Sequence, residues 1–159
     1  IADAVENGRK LLVFSQFTEM LKILKNMMKS QEIPFEYMDG KTKDRQNRIE
    51  NFNNNNNIKV FLISLKTGGF GLNLTAADTV ILTDPWWNPM GEDQAVDRAH
   101  RIGQTKKVLV YKMITKGTIE EKILSLQQTK RDIFENVIDG GQSVLQTLTS
   151  EQLRELLEY

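Results

Sequence analysis

Two arginines have the strongest claim to chemistry in this chain, Arg98 and Arg101, within Gln94–Gln104 (QAVDRAHRIGQ). Written on a helix, Gln94, Asp97, Arg98 and Arg101 fall at i, i+3, i+4 and i+7 and form one stripe. Ala95, Ala99 and Ile102 form the opposite, apolar stripe. Two arginines three residues apart repel each other modestly unless something anionic answers them. Asp97 offsets part of that repulsion, but a phosphate chain would use both planar forks. A solvated helix face carrying an incidental pair of arginines explains the spacing equally well.

A second segment, Ser64–Leu74 (SLKTGGFGLNL), holds Gly68, Gly69 and Gly71 directly after an apolar run. Glycines there let the backbone approach another molecule and turn its amides into a small anion nest. A tight structural turn would use them too. The segment is not a Walker phosphate loop: Lys66-Thr67 precedes the glycines, and no G-x-x-x-x-G-K-[S/T] run exists in the chain. In a third segment, Asp84–Pro89 (DPWWNP), large aromatics stand between prolines. Such residues are costly to order unless they pack or meet a partner, so Trp86 is assigned to the core. Trp87 is left to project as a wedge or stacking contact toward nucleic acid. Lys41, Lys43, Arg45 and Arg48 cluster near Gly40, where a charge run is ordinarily a solvated face. With one histidine and no cysteine, multi-histidine or thiolate metal sites and thiol nucleophiles are excluded.

These segments need elements to position them. Lys10–Ser15, Phe35–Met38, Lys59–Ser64, Thr79–Thr83 and Val108–Ile114 read as short buried strands. Helical spacing predicts helices from Phe17 to Lys29, Thr42–Phe52, Gly91–Ile102, Thr118–Val137 and Glu151–Glu158. Thr118 with Glu121 offers a capping box, and Asn53–Asn57 an exposed loop. Strands alternating with helices imply a mainly parallel sheet covered on both faces. Gln16–Thr18, Gly40–Thr42, Leu65–Gly71 and Pro85–Asn88 each follow a strand, and ligands of such sheets bind at the strands' carboxyl ends. The four segments should therefore share one edge.

The 159 residues suit one domain with a real core. No apolar run approaches bilayer length and no signal peptide opens the chain, so the expectation is an intracellular protein. Net charge is zero with a pI near 6.8, which decides nothing about nucleic acid, since a groove can be positive on a neutral domain.

Together the segments resemble the C-terminal lobe of the SWI/SNF family of helicase-like ATPases, in helicase superfamily two. Leu11–Phe17 resembles the family's motif four, and Ser64–Leu74 running on to Asp78 its motif five. Asp84–Pro89 and Gln94–Gln104 resemble the linking segment and motif six; Val110–Lys112 and Gly117–Ile123 also follow the pattern. The Ser-Leu-Lys run and the tryptophan pair look more like the prokaryotic branch. The resemblance implies a RecA-like three-layer α/β lobe over 1–117, with brace and terminal helices over 118–159 packed on it. It implies that Arg98 and Arg101 are arginine fingers, that Gln94 helps set them, and that Gly69 and Gly71 lie near the nucleotide. Ser15, Gln16, Gly40, Thr42, Lys66, Thr67 and Gly68 would touch phosphates of one DNA strand, and Trp87 would reach the minor groove. ATP with Mg2+ would be held mainly by an N-terminal RecA-like lobe of the same polypeptide, toward which the helix from Thr118 runs as a brace. The implied work is ATP-driven tracking on double-stranded DNA, with a DNA-bound protein as a further substrate and this chain inactive alone. A strand-separating helicase and a non-enzymatic α/β interaction domain are the alternatives. The implied location is the nucleoid-bearing cytoplasm of a prokaryote or the nucleus of a eukaryote.

Overall fold

The computed structural model describes residues 1–68, 72–101 and 103–139. Its centre is a five-stranded sheet, every pair parallel: β1 (Leu11–Ser15), β2 (Phe35–Met38), β3 (Val60–Ser64), β4 (Thr79–Leu82) and β5 (Leu109–Lys112). The order across the sheet is β2-β3-β1-β4-β5. Leu11, Val13 and their neighbours Val60 and Leu62 face one side with α1 (Ala2–Glu6) and α2 (Thr18–Ser30). Leu12 and Phe14, with Phe61, Ile63, Val80 and Leu82, face the other, where α3 (Arg45–Asn54), α4 (Leu65–Gly68) and α5 (Pro89–Val96) cover them. Both faces of β1 and β3 are buried, which is why these strands read as unbroken apolar runs. This is the RecA-like α/β lobe.

Because all five strands run the same way, the segments after β1, β2, β3 and β4 do emerge at one edge. The chain leaves β1 toward the β2–β3 side and leaves β4 toward β5, so the switch point of the sheet lies between β1 and β4.

Three predicted elements differ. The glycine-rich stretch begins as a helical turn, α4, and not as an open loop. The helix expected over Thr42–Phe52 starts later, at Arg45, because Asp39 binds residues 40–42 into a turn of their own. At its other end the buried Lys10 amine donates to the carbonyls of Phe52 (2.6 Å) and Asn55 (3.1 Å), tying the asparagine segment to β1. The third difference concerns the arginines. Helix α5 ends at Val96 and not at Ile102, and residues 97–99 form a turn. Two bonds from outside the helix draw carbonyls out of the helical ladder: the Leu74 amide donates to Arg98 O (3.1 Å), and the Gln104 side chain, five residues on, donates to Ala99 O (3.0 Å). Ala2–Glu6 is a short helix that the polar N-terminal sequence did not suggest. The C-terminal helix α6 covers Ile119–Asp139; the helix expected over Glu151–Glu158 lies outside the described residues. At the start of α6, Glu121 accepts from the Gly117 amide (3.0 Å) and Thr118 Oγ1 from the Glu120 amide, a variant of the expected box.

Candidate nucleotide and nucleic-acid interface

Asp84 organises the switch point. It is the second residue past β4, is buried, and its carboxylate gathers three donors from two strand ends. The Ser15 hydroxyl donates to Oδ1, the Gln16 amide to Oδ2 (2.9 Å), and the Thr83 hydroxyl to Oδ1 (2.8 Å). Gln16 Nε2 then donates to Pro85 O (3.0 Å), so the loop after β1 is bound to the loop after β4. Sequence reasoning placed Asp84 in a motif but gave it no work. Its signal was available: an acid just after a buried strand and before a proline has few partners except the edge itself.

Two of the residues expected to touch phosphates, Ser15 and Thr67, are buried. Ser15 is 0% exposed and its hydroxyl serves Asp84; Thr67 is 2% exposed. Neither side chain faces solvent. Lys66 and Gly40 are exposed, and Gln16 and Thr42 are half-buried. Gly69 and Gly71 lie outside the described residues.

The turn after β2 is built on Asp39, which accepts from the Lys41 amide (2.9 Å), the Thr42 hydroxyl (3.1 Å) and Tyr37 Oη (3.1 Å). Burial pushes Asp39 up, but these hydrogen bonds outweigh it and hold the carboxyl below the usual aspartate range. Burial first, then the bond to Asp39, pushes Tyr37 up to about 12. With its folded value depressed, Asp39 adds stability that is fully present above the unfolded value near 3.9 and fades as pH falls through the lower folded value. Urea midpoints measured from pH 5 to pH 2 should fall less steeply for Asp39→Asn than for the parent. Parallel curves would show that this turn contributes no acid-sensitive stability.

Trp86 is half-buried against the cluster that contains Leu12 and Phe14, and a Cβ on Gly91 would meet its ring at 2.2 Å. Only glycine lets the indole lie on the first turn of α5. Trp87, the next residue, is 39% exposed. Asn88 caps α5 by accepting the Met90 amide (3.1 Å), with Pro89 in the first turn.

Ala95 and Ala99 are buried beneath α5 and the turn after it, while Gln94, Asp97 and Arg101 are exposed and Arg98 is half-buried. Arg98 Nε donates to Gln94 O (2.9 Å), so Gln94 steadies Arg98 through its backbone. The arginines thus stand past the helix end, Arg98 in the turn and Arg101 in the bend after it, not on one straight ridge. The buried Ala95 and Ala99 leave Arg101 on the exposed side of this stretch and Arg98 half-exposed. Ile102 lies outside the described residues.

Glu92 is the second residue that sequence reasoning missed. It is 1% exposed and accepts from the Trp86 amide (2.7 Å), Gln127 Nε2 (2.7 Å) and Lys112 Nζ (2.6 Å). Its position, three before Ala95 and seven before Ala99, put it in line with the buried stripe, which was the available signal. Among the described residues no group of three or more acidic, histidine or cysteine side chains could hold a metal ion. No helix of the described residues is long and apolar enough to cross a membrane.

The helicase conserved C-terminal domain family matches residues 1–103. The chain is 44% identical over 160 residues to an uncharacterized ATP-dependent helicase of Mycoplasma pneumoniae, covering 99% of this chain and 16% of that protein. It is 45% identical over 152 residues to the human chromatin-remodeling ATPase INO80, covering 94% of this chain and 10% of that protein. The crystal structure of the C-terminal part of the Fun30 ATPase domain superposes with a TM-score of 0.75 at 44% identity, covering 78% of this chain and 40% of that one. This chain therefore spans only a small part of the curated relatives it matches.

Proposed function

The chain belongs to the helicase conserved C-terminal domain family, as a lobe of the SWI/SNF type, and from this we propose that it is the second motor lobe of an ATP-driven double-stranded DNA translocase. In this reading Arg98 and Arg101 reach a nucleotide held, with its Mg2+, on the phosphate loop of an N-terminal lobe. Their guanidinium groups neutralise charge that builds on the transferring phosphoryl oxygens. The support is the stretch from Ala95 to Arg101, where buried alanines turn Arg101 outward in a sequence that has no Walker loop of its own.

The strand-end edge would grip one DNA strand. Lys66 brings charge, Gln16, Gly40, Gly68 and Thr42 bring polar and backbone groups, and Ser15 and Thr67 hold the loops from beneath. Trp87 would enter the minor groove. The lobe closes on its partner when ATP binds and opens after hydrolysis, and the alternating grip moves the motor along the duplex. A DNA-bound protein would be displaced or remodelled by that movement.

Phosphate-backbone contacts position without reading sequence, which suits a motor that must pass over any sequence. The purified chain alone should hydrolyse no ATP, with or without duplex DNA. Steady turnover by it would overturn the division of labour between two lobes. In the full-length protein, loss of DNA-stimulated hydrolysis on replacing Arg101 tests the fingers, and a strand-displacement assay separates tracking from unwinding.

A further inference from the structure

Three elements, the neighbouring α5 and the more distant β5 and α6, meet beside Trp86, the residue just before Trp87. Glu92, in the first turns of α5, takes the Trp86 amide on Oε1 (2.7 Å). Gln127, on α6, donates to the same Oε1 (2.7 Å) and also to the Trp86 carbonyl. Lys112, at the end of β5, closes the group on Oε2 (2.6 Å). Both backbone polar groups of Trp86 are thereby engaged, one by α5 and one by α6, while its ring is seated against Gly91.

This is more than a packed corner. Glu92 and Gln127 are both buried, at 1% and 3% exposed, and a buried carboxylate holds its charge only where partners answer it. Each donor is therefore needed by the others, and the group forms or fails as a unit. A second tie from α6, Arg131 to Asp93 (2.9 Å), joins two partly exposed side chains, where such a pair contributes little. Gln127 is accordingly the firm mechanical link between α6 and the tryptophan loop.

We infer that Gln127 and Glu92 are positioning residues that set the Trp87 loop from α6, so that α6 governs how productively the lobe engages duplex DNA. The DNA half of this inference rests on the role of Trp87 proposed above; the mechanical half does not. Moving α6 relative to the sheet would pull the Trp86 carbonyl directly, and Trp87 follows one peptide later.

The test uses Gln127→Met in the full-length protein, because methionine keeps the helix and the volume but offers no donor. Arg131→Ala is the control for the exposed tie, and Trp87→Ala tests the loop's own role. Hydrogen–deuterium exchange of the segment 84–88 should accelerate on the order of tenfold or more in Gln127→Met, as expected when a bond among charged and buried groups is lost. It should stay at the parent rate in Arg131→Ala. Hydrolysis without DNA should be unchanged in Gln127→Met, while the stimulation by duplex DNA should fall severalfold, as in Trp87→Ala.

Unchanged exchange in Gln127→Met would overturn the mechanical link whatever Trp87 does. Faster exchange with full DNA stimulation, alongside a loss in Trp87→Ala, would overturn control by α6 alone. Full stimulation in Trp87→Ala would sink the proposed role of that tryptophan, and the DNA half of the inference with it.

Discussion

Replacing Arg101 by alanine in the full-length protein is expected to lower the rate of DNA-stimulated ATP hydrolysis by about 10³–10⁵, with nucleotide binding largely kept. That range corresponds to about 4–7 kcal/mol of transition-state stabilisation. The effect falls on turnover because a finger meets charge that appears as the phosphoryl group transfers, whereas ground-state binding belongs to the other lobe. Arg101→Lys should not rescue, since a single ammonium cannot reproduce the planar fork. Arg98→Ala should also cut turnover, and Gln94→Ala much less, because Arg98 leans on the Gln94 carbonyl and not on its side chain. Stopped-flow nucleotide binding and steady-state phosphate release check both halves. Turnover within tenfold of the parent, with binding intact, would favour an interaction domain with vestigial arginines.

Replacing Asp84 by alanine is expected to cost about 3 kcal/mol of stability and to weaken duplex binding beyond what unfolding explains. The carboxylate is buried and accepts from Ser15, Gln16 and Thr83, three donors on two strand ends. The two hydroxyls have other acceptors in reach, Phe17 O for Ser15 and Phe14 O for Thr83. Asp84 is the acceptor of the part-buried Gln16 amide, and a stranded donor costs roughly 1–3 kcal/mol. With Asp84 gone, the Gln16–Pro85 bond still joins the loops after β1 and β4. Denaturation midpoints and DNA titration at a temperature where the variant is folded separate the two effects. An unshifted midpoint would show that the carboxylate does not hold this edge.

Asp84 and Glu92 also show where reading a sequence stops. The five strands, the parallel sheet and the shared edge followed from short apolar runs and their alternation with helical spacing. These are local patterns, and burial on both faces of β1 and β3 left no competing arrangement. The exposed tryptophan beside a packed one was equally legible. The end of α5 was not. The QAVDRAHRIGQ pattern fits a helix through Ile102, and the ladder is interrupted by Leu74 and Gln104, whose bonds a periodicity cannot anticipate.

By itself, then, the sequence determined the strands and which end of the sheet presents the four segments that follow them, because residue type and spacing act over one or two turns or a single strand. Tertiary structure alone decided that Ser15 and Thr67 are inside and that both arginines lie past the end of α5. It also decided that Trp86 is held between α5 and α6. Those outcomes depend on hydrogen bonds spanning tens of residues, such as Gln127 to Trp86 and Ser15 to Asp84. A buried polar group must find its partner wherever the folded chain brings one, and no local pattern specifies that distance.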